Sequence, residues 1–190
     1  MDDRVRRAMA RWPDVPHLYG WLRLDERGRW WLRDSLVRNH ALFDYIGRNY
    51  DVDERGCWYF QNGPQRGYVA LDYTPWVLHL DNSGMLRFQT GAEARLTGTA
   101  LIDDEGNLLL VTQRGPGVVA GEGLAAMIDG LRDLQGETIP LETLEQAIND
   151  QNLQALSLHW NSERVPLEFI HRADVPRRFA FNPSPTPTGH

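Results

Sequence analysis

Lysine is missing from this 190-residue chain, whose 20 basic residues are all arginine. That absence excludes a lysine Schiff base and a P-loop lysine. It is read first as a composition bias of the source genome. Cys57 is the one cysteine, which excludes an intrachain disulfide and a cysteine-rich zinc site and agrees with a reducing compartment. Long apolar runs are missing too, since none approaches the roughly 20 residues of a membrane span. The N-terminal "MDDRVRRAMARWPDVP" carries charges where a secretory signal has an apolar core. The expectation is a cytoplasmic protein with no membrane attachment, and Met9 is a second candidate start. An excess of positive charge is likewise absent. The net charge of −6 argues against a general affinity for nucleic acid.

What is present begins with a repeat. "LDERGRWWL" at 24–32, "VDERGCWYF" at 52–60, "LDNSGMLRF" at 80–88 and "IDDEGNLLL" at 102–110 share one spelling, at spacings of 28, 28 and 22 residues. Each copy is an aliphatic residue, Asp, two polar residues, Gly, then apolar residues two and four positions after the Gly. A three-residue hairpin loop needs a type I turn followed by a left-handed residue. Gly28, Gly56, Gly84 and Gly106 supply that residue, because a Cβ would oppose a positive φ. Asp25, Asp53, Asp81 and Asp103 stand at the first turn position, where a carboxylate accepts a backbone N–H two residues on. The register then places Leu24 opposite Trp30, Val52 opposite Trp58, Leu80 opposite Leu86 and Ile102 opposite Leu108. One step outward it places Leu22 with Leu32, Tyr50 with Phe60, Leu78 with Phe88 and Ala100 with Leu110. All eight pairs put apolar residues on one face, which a slipped register would not do. The four acids are read as solvated hairpin tips.

Between the copies, Asn39 caps a predicted helix at about 40–48 whose apolar stripe is Leu42, Phe43 and Ile46. From 56 to 90 the pattern predicts continuous antiparallel sheet, with a break at Thr74-Pro75. "RGPG" closes the β-rich part. Leu124, Met127, Ile128, Leu131 and Leu134 then form a helical stripe with Gly136 as its stop. A second helix carries Leu141, Leu144 and Ile148, with Pro140 as its first residue. "ALSLHW" and "VPLEFI" read as strands around an "NSER" turn, and "VPRRFAF" as a last edge strand. The expected class is α+β, with antiparallel sheet dominant. Residues 1–15 are expected to be a flexible segment and 16–120 a β-hairpin-repeat region. Residues 121–182 hold the helical pair and a C-terminal hairpin, packed on the same domain. Residues 183–190, rich in Pro, Ser and Thr, form a disordered tail.

The candidate binding residues lie in "FQNGPQRGYVALDYTPW". Gln61, Asn62, Gln65 and Arg66 gather at one hairpin end, and Asp72, Tyr73 and Trp76 at the next corner, which in a meander lies on the opposite edge, so the two groups need not meet. An amide-rich turn beside an arginine suits a ligand carboxylate or a partner's backbone, although Asn62-Gly63-Pro64 is also simply a tight turn. Trp31 stands between Arg29 and Arg33 on an outward face, where arginine and indole can stack on each other or on a partner. His159 and Glu168 approach each other if the last hairpin forms, with His171 near. The histidine spacing matches no established metal site, so no metal and no cofactor are expected. Neither a Gly-rich phosphate loop, a G-x-S-x-G nor an H-E-x-x-H occurs. Cys57 alternates away from Trp58, and with a distant His it offers thiol catalysis only weakly against its reading as a small strand residue.

The order of "RWPDVPHLYGWLRLDERGRWWL", "RNYDVDERGCWYFQNGPQRGYVALDYTPWVL" and "VPLEFIHRADVPRRFAF" resembles an uncharacterised proteobacterial domain of unknown function of about this length. The resemblance spans 12–181 and is most specific in "WYFQNGPQR…LDYTPW". Hairpin–helix–hairpin order with a "TP" corner is also similar to a second uncharacterised family of repeated motifs, for which a signalling role has been suggested. Neither resemblance implies catalytic residues. The functional expectation is a non-catalytic module binding a protein partner or a small ligand, in regulation or signalling. The alternatives are an enzyme with dispersed His, Glu and Asp, and a nucleic-acid-binding protein.

Overall fold

The computed structural model describes residues 1–12 and 15–187. The chain is mixed α and β, with two many-stranded sheets and short helices. It divides into two compact units. The first holds residues 1–75, 89–92 and 180–190, and the second 76–88 and 93–179. Residues 93–120 of the expected hairpin-repeat region and 121–179 of the expected helical region share the second unit.

In the first unit, residues expected as a flexible arm carry helix α1 (Asp3–Arg11), whose Val5 is buried. Asn49 anchors its start by accepting the Asp2 N–H at 2.8 Å. Strands β1 (Leu18–Leu24), β2 (Trp30–Leu32) and β3 (Ser35–Leu36) precede helix α2 (His40–Arg48). The Asn39 side chain caps α2 by accepting the Leu42 N–H at 3.0 Å, and Ile46 is its buried anchor. Strands β4 (Tyr50–Val52), β5 (Trp58–Asn62) and β6 (Gln65–Leu71) complete a sheet of order β3-β2-β1-β6-β5-β4. The meander expected from 56 to 90 ends at β6, which pairs in parallel with β1. That crossover pairs Leu18 with Gly67 and Leu24 with Leu71, far apart in sequence, and periodicity carries no trace of it.

In the second unit, β7 (Trp76–Leu80), β8 (Leu86–Phe88), β9 (Leu96–Asp103), β10 (Leu108–Thr112) and β11 (Gly115–Val119) come first. "RGPG" therefore turns the chain into one more strand. Helix α3 (Glu122–Ile128), β12 (Leu131–Arg132), helix α4 (Leu141–Asn149), β13 (Ser157–Trp160), β14 (Glu163–Ile170) and helix α5 (Val175–Arg178) follow. The sheet order is β12-β13-β14-β9-β10-β11-β7-β8, with β14–β9 and β11–β7 parallel. "VPRRFAF" was expected as an edge strand, but its first four residues form α5, with Pro176 in the first turn where its missing N–H costs nothing. Pro140 stands one residue before α4, as its N-cap.

The four turn glycines have φ between 73° and 82°. Leu24 faces Trp30, Val52 faces Trp58, Leu80 faces Leu86 and Ile102 faces Leu108, with the outer four pairs in step. Each turn Asp does more than tip a hairpin. Oδ1 of Asp25 accepts the N–H groups of Arg27 and Arg29, and Oδ1 of Asp53 those of Arg55 and Cys57. Asp81 takes Ser83 and Met85, and Asp103 takes Glu105 and Asn107. The carboxylate turns inward to hold two otherwise unpaired donors. For that reason Asp25 and Asp103 are buried and not the solvated tips expected.

A fifth turn of the same geometry, without the rest of the spelling, lies in "LRDLQGET". Oδ1 of Asp133 accepts the N–H groups of Gln135 and Glu137, and Gly136 has φ +85°. The helical stripe expected to run to Leu134 therefore stops at Ile128. Leu131 turns into β12 opposite Leu158 and is buried, whereas Leu134 is 62% exposed. At the chain's end, residues 188–190 of the tail expected to be disordered lie outside the described residues. Pro183 O accepts the Leu71 N–H at 2.8 Å.

Candidate functional site

Strands β5 and β6 pair with Tyr59 opposite Tyr68, Gln61 opposite Arg66 and Asn62 opposite Gln65. Side chains alternate along a strand, so the expected cluster of Gln61, Asn62, Gln65 and Arg66 is split between the two faces of the sheet. Gln61 and Arg66 share one face with Tyr59 and Tyr68. Asn62 and Gln65 go to the other, at the edge of an apolar cleft. Tight pairing of Asn62 with Gln65 makes the split unavoidable.

On the first face lies a basin of about 580 Å³ lined by His17, Tyr19, Asp53, Arg55, Tyr59, Arg66 and Tyr68, with exposed Val52 and Glu54 at its edge. Arg66 is one of the two arginines on its lining. Its Nε donates to Gln61 Oε1 at 3.3 Å, and its guanidinium stands 4.4 Å from the Tyr59 ring centroid. Gln61 is fully buried and donates its own amide to Gly63 O at 3.0 Å, so it is a fixed support. Among the described residues Arg66 has no carboxylate partner. Arg55 differs, because it is paired with Asp53 at 3.0 Å. The Tyr68 hydroxyl donates to Asp53 Oδ2 at 2.9 Å, which joins the second turn to the basin. Tyr19 stacks flat on Tyr68 at 4.5 Å, and His17 meets the same ring edge-on at 5.6 Å.

The electrostatics follow from this crowding. Burial, then the nearby Arg66 and Arg55 charges, lower the His17 pKa against an opposing pull from Asp53. Burial raises the tyrosine hydroxyls, with Asp53 adding to the effect at Tyr68, so both stay protonated donors. Burial also raises the Cys57 thiol. Cys57 packs against Tyr59 and Tyr68 and is buried. It is an inert packing residue.

The other expected residues do not join this basin. Asp72 is ion-paired with Arg23. Tyr73 is buried. Trp76 belongs to the second unit, where it packs on Phe88 at 4.6 Å and donates Nε1–H to Arg114 O at 2.7 Å. Trp31 donates to Asp25 Oδ2 at 2.8 Å and is flanked by Arg23 and Arg29, while Arg33 lies on Trp21. His159 stands opposite Arg164, Glu168 pairs with Arg178 at 2.6 Å and His171 lies 3.5 Å from Asp104, so the expected His159–Glu168 approach is replaced by three separate pairings. The sequence reading missed Tyr59 and Tyr68, which the two-residue register around Gly63-Pro64 places beside Gln61 and Arg66. It also missed His17 and Tyr19, for which only the β1–β6 crossover would have served.

The chain belongs to the DUF2944 family, described as "Protein of unknown function (DUF2946)", whose model matches residues 1–186. This agrees with the resemblance to an uncharacterised domain. Among solved structures it is similar to the crystal structure of a DUF1285 family protein from Silicibacter pomeroyi DSS-3. The two are 15% identical over 82% of this chain and 84% of that one, with a TM-score of 0.35. None of the curated proteins matches the chain.

Proposed function

We propose that this member of the DUF2944 family is a non-catalytic cytoplasmic module, regulatory in role, that binds a small anionic ligand in the Arg66 basin. The observation that carries the reading is a half-buried guanidinium, supported by Gln61 and Tyr59, that has no carboxylate partner among the described residues. Arginine held in this way presents its remaining N–H donors as a fork that matches a carboxylate or phosphate. The Tyr68 hydroxyl, the Tyr19 hydroxyl and neutral His17 add hydrogen-bonding groups around it. A negatively charged group on a protein partner would use the same fork.

The test is titration calorimetry with inorganic phosphate and with acetate, on the parent chain and on Arg66→Gln. Saturable binding of either anion by the parent, reduced by about tenfold or more in Arg66→Gln, supports the reading. Equal binding by the two proteins, or none by either, sinks it.

A further inference from the structure

The opposite face of the same sheet holds a second cavity, and its floor is a glycine. Gly67 lies in the middle of β6 with an ordinary strand conformation. A Cβ placed there would meet nothing nearer than Phe60 O at 3.9 Å. Valine or isoleucine would suit the strand and cover apolar neighbours, so glycine here keeps space open. A strand glycine of this kind marks a bulge, such as the register shift between Leu18 and Leu22 beside it, or a close approach by another group. The space is a cleft of about 190 Å³ between α2 and the sheet, walled by Leu18, Trp21, Leu22, Leu32, Ile46 and Phe60. At its mouth Trp21, Leu32 and Leu42 are 41%, 46% and 38% exposed. An apolar cavity of about 150 Å³ is enough to hold benzene.

The polar groups lie at one end. The start of β1, the end of β2, the end of β5 and the start of β6 share one end of the sheet. That end carries the amides of Asn62 and Gln65 on the cleft lining. Arg33, directly after β2, belongs to the same end. Its backbone is left-handed at φ 52°, its N–H donates to Trp21 O at 2.7 Å and its guanidinium lies 3.5 Å from the Trp21 ring centroid. Left-handed backbone is costly for a residue with a Cβ and concentrates at functional positions. Among the described residues Arg33 forms no ion pair.

We infer that this cleft binds a small carboxylate amphiphile, its body of one ring or about six to eight carbons over Gly67 and its head at Arg33, Asn62 and Gln65. The site is independent of the Arg66 basin, from which the sheet separates it.

Sodium octanoate and octan-1-ol serve as probes, with Trp21 fluorescence and calorimetry as readouts on the full chain. Octanoate is expected to bind saturably. Gly67→Val fills the cleft without a backbone clash, and it should weaken octanoate by about tenfold or more at an unchanged or higher melting temperature. Arg33→Ala should weaken octanoate about fivefold or more and leave octan-1-ol unaffected, which separates a head-group contact from general loosening. Arg66→Gln should leave octan-1-ol binding and the octanoate response of Trp21 fluorescence unchanged, since a carboxylate seated in the Arg66 basin lies on the other face of the sheet. The inference is overturned by an absence of saturable octanoate binding, or by equal affinity in Gly67→Val. It is overturned as well if sedimentation shows the mouth covered by a second copy, in a dimer that Leu32→Arg dissociates.

Discussion

The Cβ that Gly56 lacks would lie 2.3 Å from the carbonyl oxygen of Ala180 and 2.9 Å from the Cα of Phe181. The Gly56 carbonyl also accepts the Asn182 N–H at 2.9 Å, so the second turn and the chain's last segment lie backbone against backbone. Gly84 and Gly106 have the same left-handed φ and open space around them. Alanine at either of those positions meets only the conformational penalty, about 1–2 kcal/mol. Gly56→Ala meets that penalty and a clash with main chain that no rotamer relieves, so a loss of about twice as much or more is expected. Urea unfolding of the three variants checks this. Equal losses would show that the Gly56 contact yields freely.

The turn carboxylates set an acid limit. Burial works to raise Asp25 and Asp53, but accepted hydrogen bonds outweigh it: from Trp31 and Arg29 at Asp25, and from Cys57, Tyr68 and Arg55 at Asp53. Both carboxyls end below the ordinary range. Asp81 is held lower still, first by the Ser83 hydroxyl and then by Arg87. A carboxylate lower in the folded than in the unfolded chain, where it titrates near about 3.9, adds stability above that pH. The contribution is lost as pH falls through the folded value. Unfolding free energy should therefore be level in this respect above about pH 4 and fall below it. Combining Asp25→Asn with Asp53→Asn should lower stability at neutral pH and flatten the acid limb. An acid limb as steep as the parent's would assign the effect to other groups.

What could be seen in advance followed chain distance. Asp25 to Trp30 is a local spelling, and its consequences are complete within a few residues: the Asp forks two N–H groups, the glycine turns left, and Leu24 meets Trp30. Asn39 and Ile46 are local in the same way, and α2 starts and packs where they stand. The pairing of β1 with β6 is settled by tertiary packing between distant segments, which leaves no period to read. The candidate site inherits this division. Gln61 and Arg66 are legible as a hairpin end, but the basin needs Tyr19 from β1, and Trp76 at the next corner is a buried residue of the second unit.

Arg66 and His17 are electrostatically linked. Burial is the first cause of the low His17 pKa and Arg66 the second. Removing Arg66 takes away one of the two cations that oppose protonation, so in Arg66→Ala the His17 pKa should rise toward the ordinary 6.5 or so. Fold stability should fall by about 1 kcal/mol or more, because the buried Gln61 Oε1 loses its donor. An anion seated on Arg66 would raise His17 in the same direction, and by linkage its affinity should increase as pH falls through the His17 titration. Imidazole proton shifts followed by NMR against pH, with and without phosphate, measure both effects. A His17 titration identical in parent and variant would mean that the guanidinium does not face it.

Gly136 separates two accounts of residues 121–136. If the apolar stripe from Leu124 to Leu134 formed one helix, Gly136 would be its terminator and Gly136→Ala would extend or leave it. With the fifth turn in place, Gly136 has φ +85°, its N–H donates to Asp133 O at 3.1 Å, and Asp133 Oδ1 holds the Gln135 and Glu137 N–H groups. The turn prevails because it satisfies three donors locally, while a longer helix would withdraw Leu131 from its buried place opposite Leu158. Gly136→Ala should therefore cost about 1–2 kcal/mol, and Asp133→Ala about 1 kcal/mol or more by freeing two N–H groups. Leu134→Ser, at an exposed position, should fall within about 0.5 kcal/mol of the parent. Urea midpoints of these three variants distinguish the accounts. A large loss at Leu134 with none at Gly136 would restore the helix.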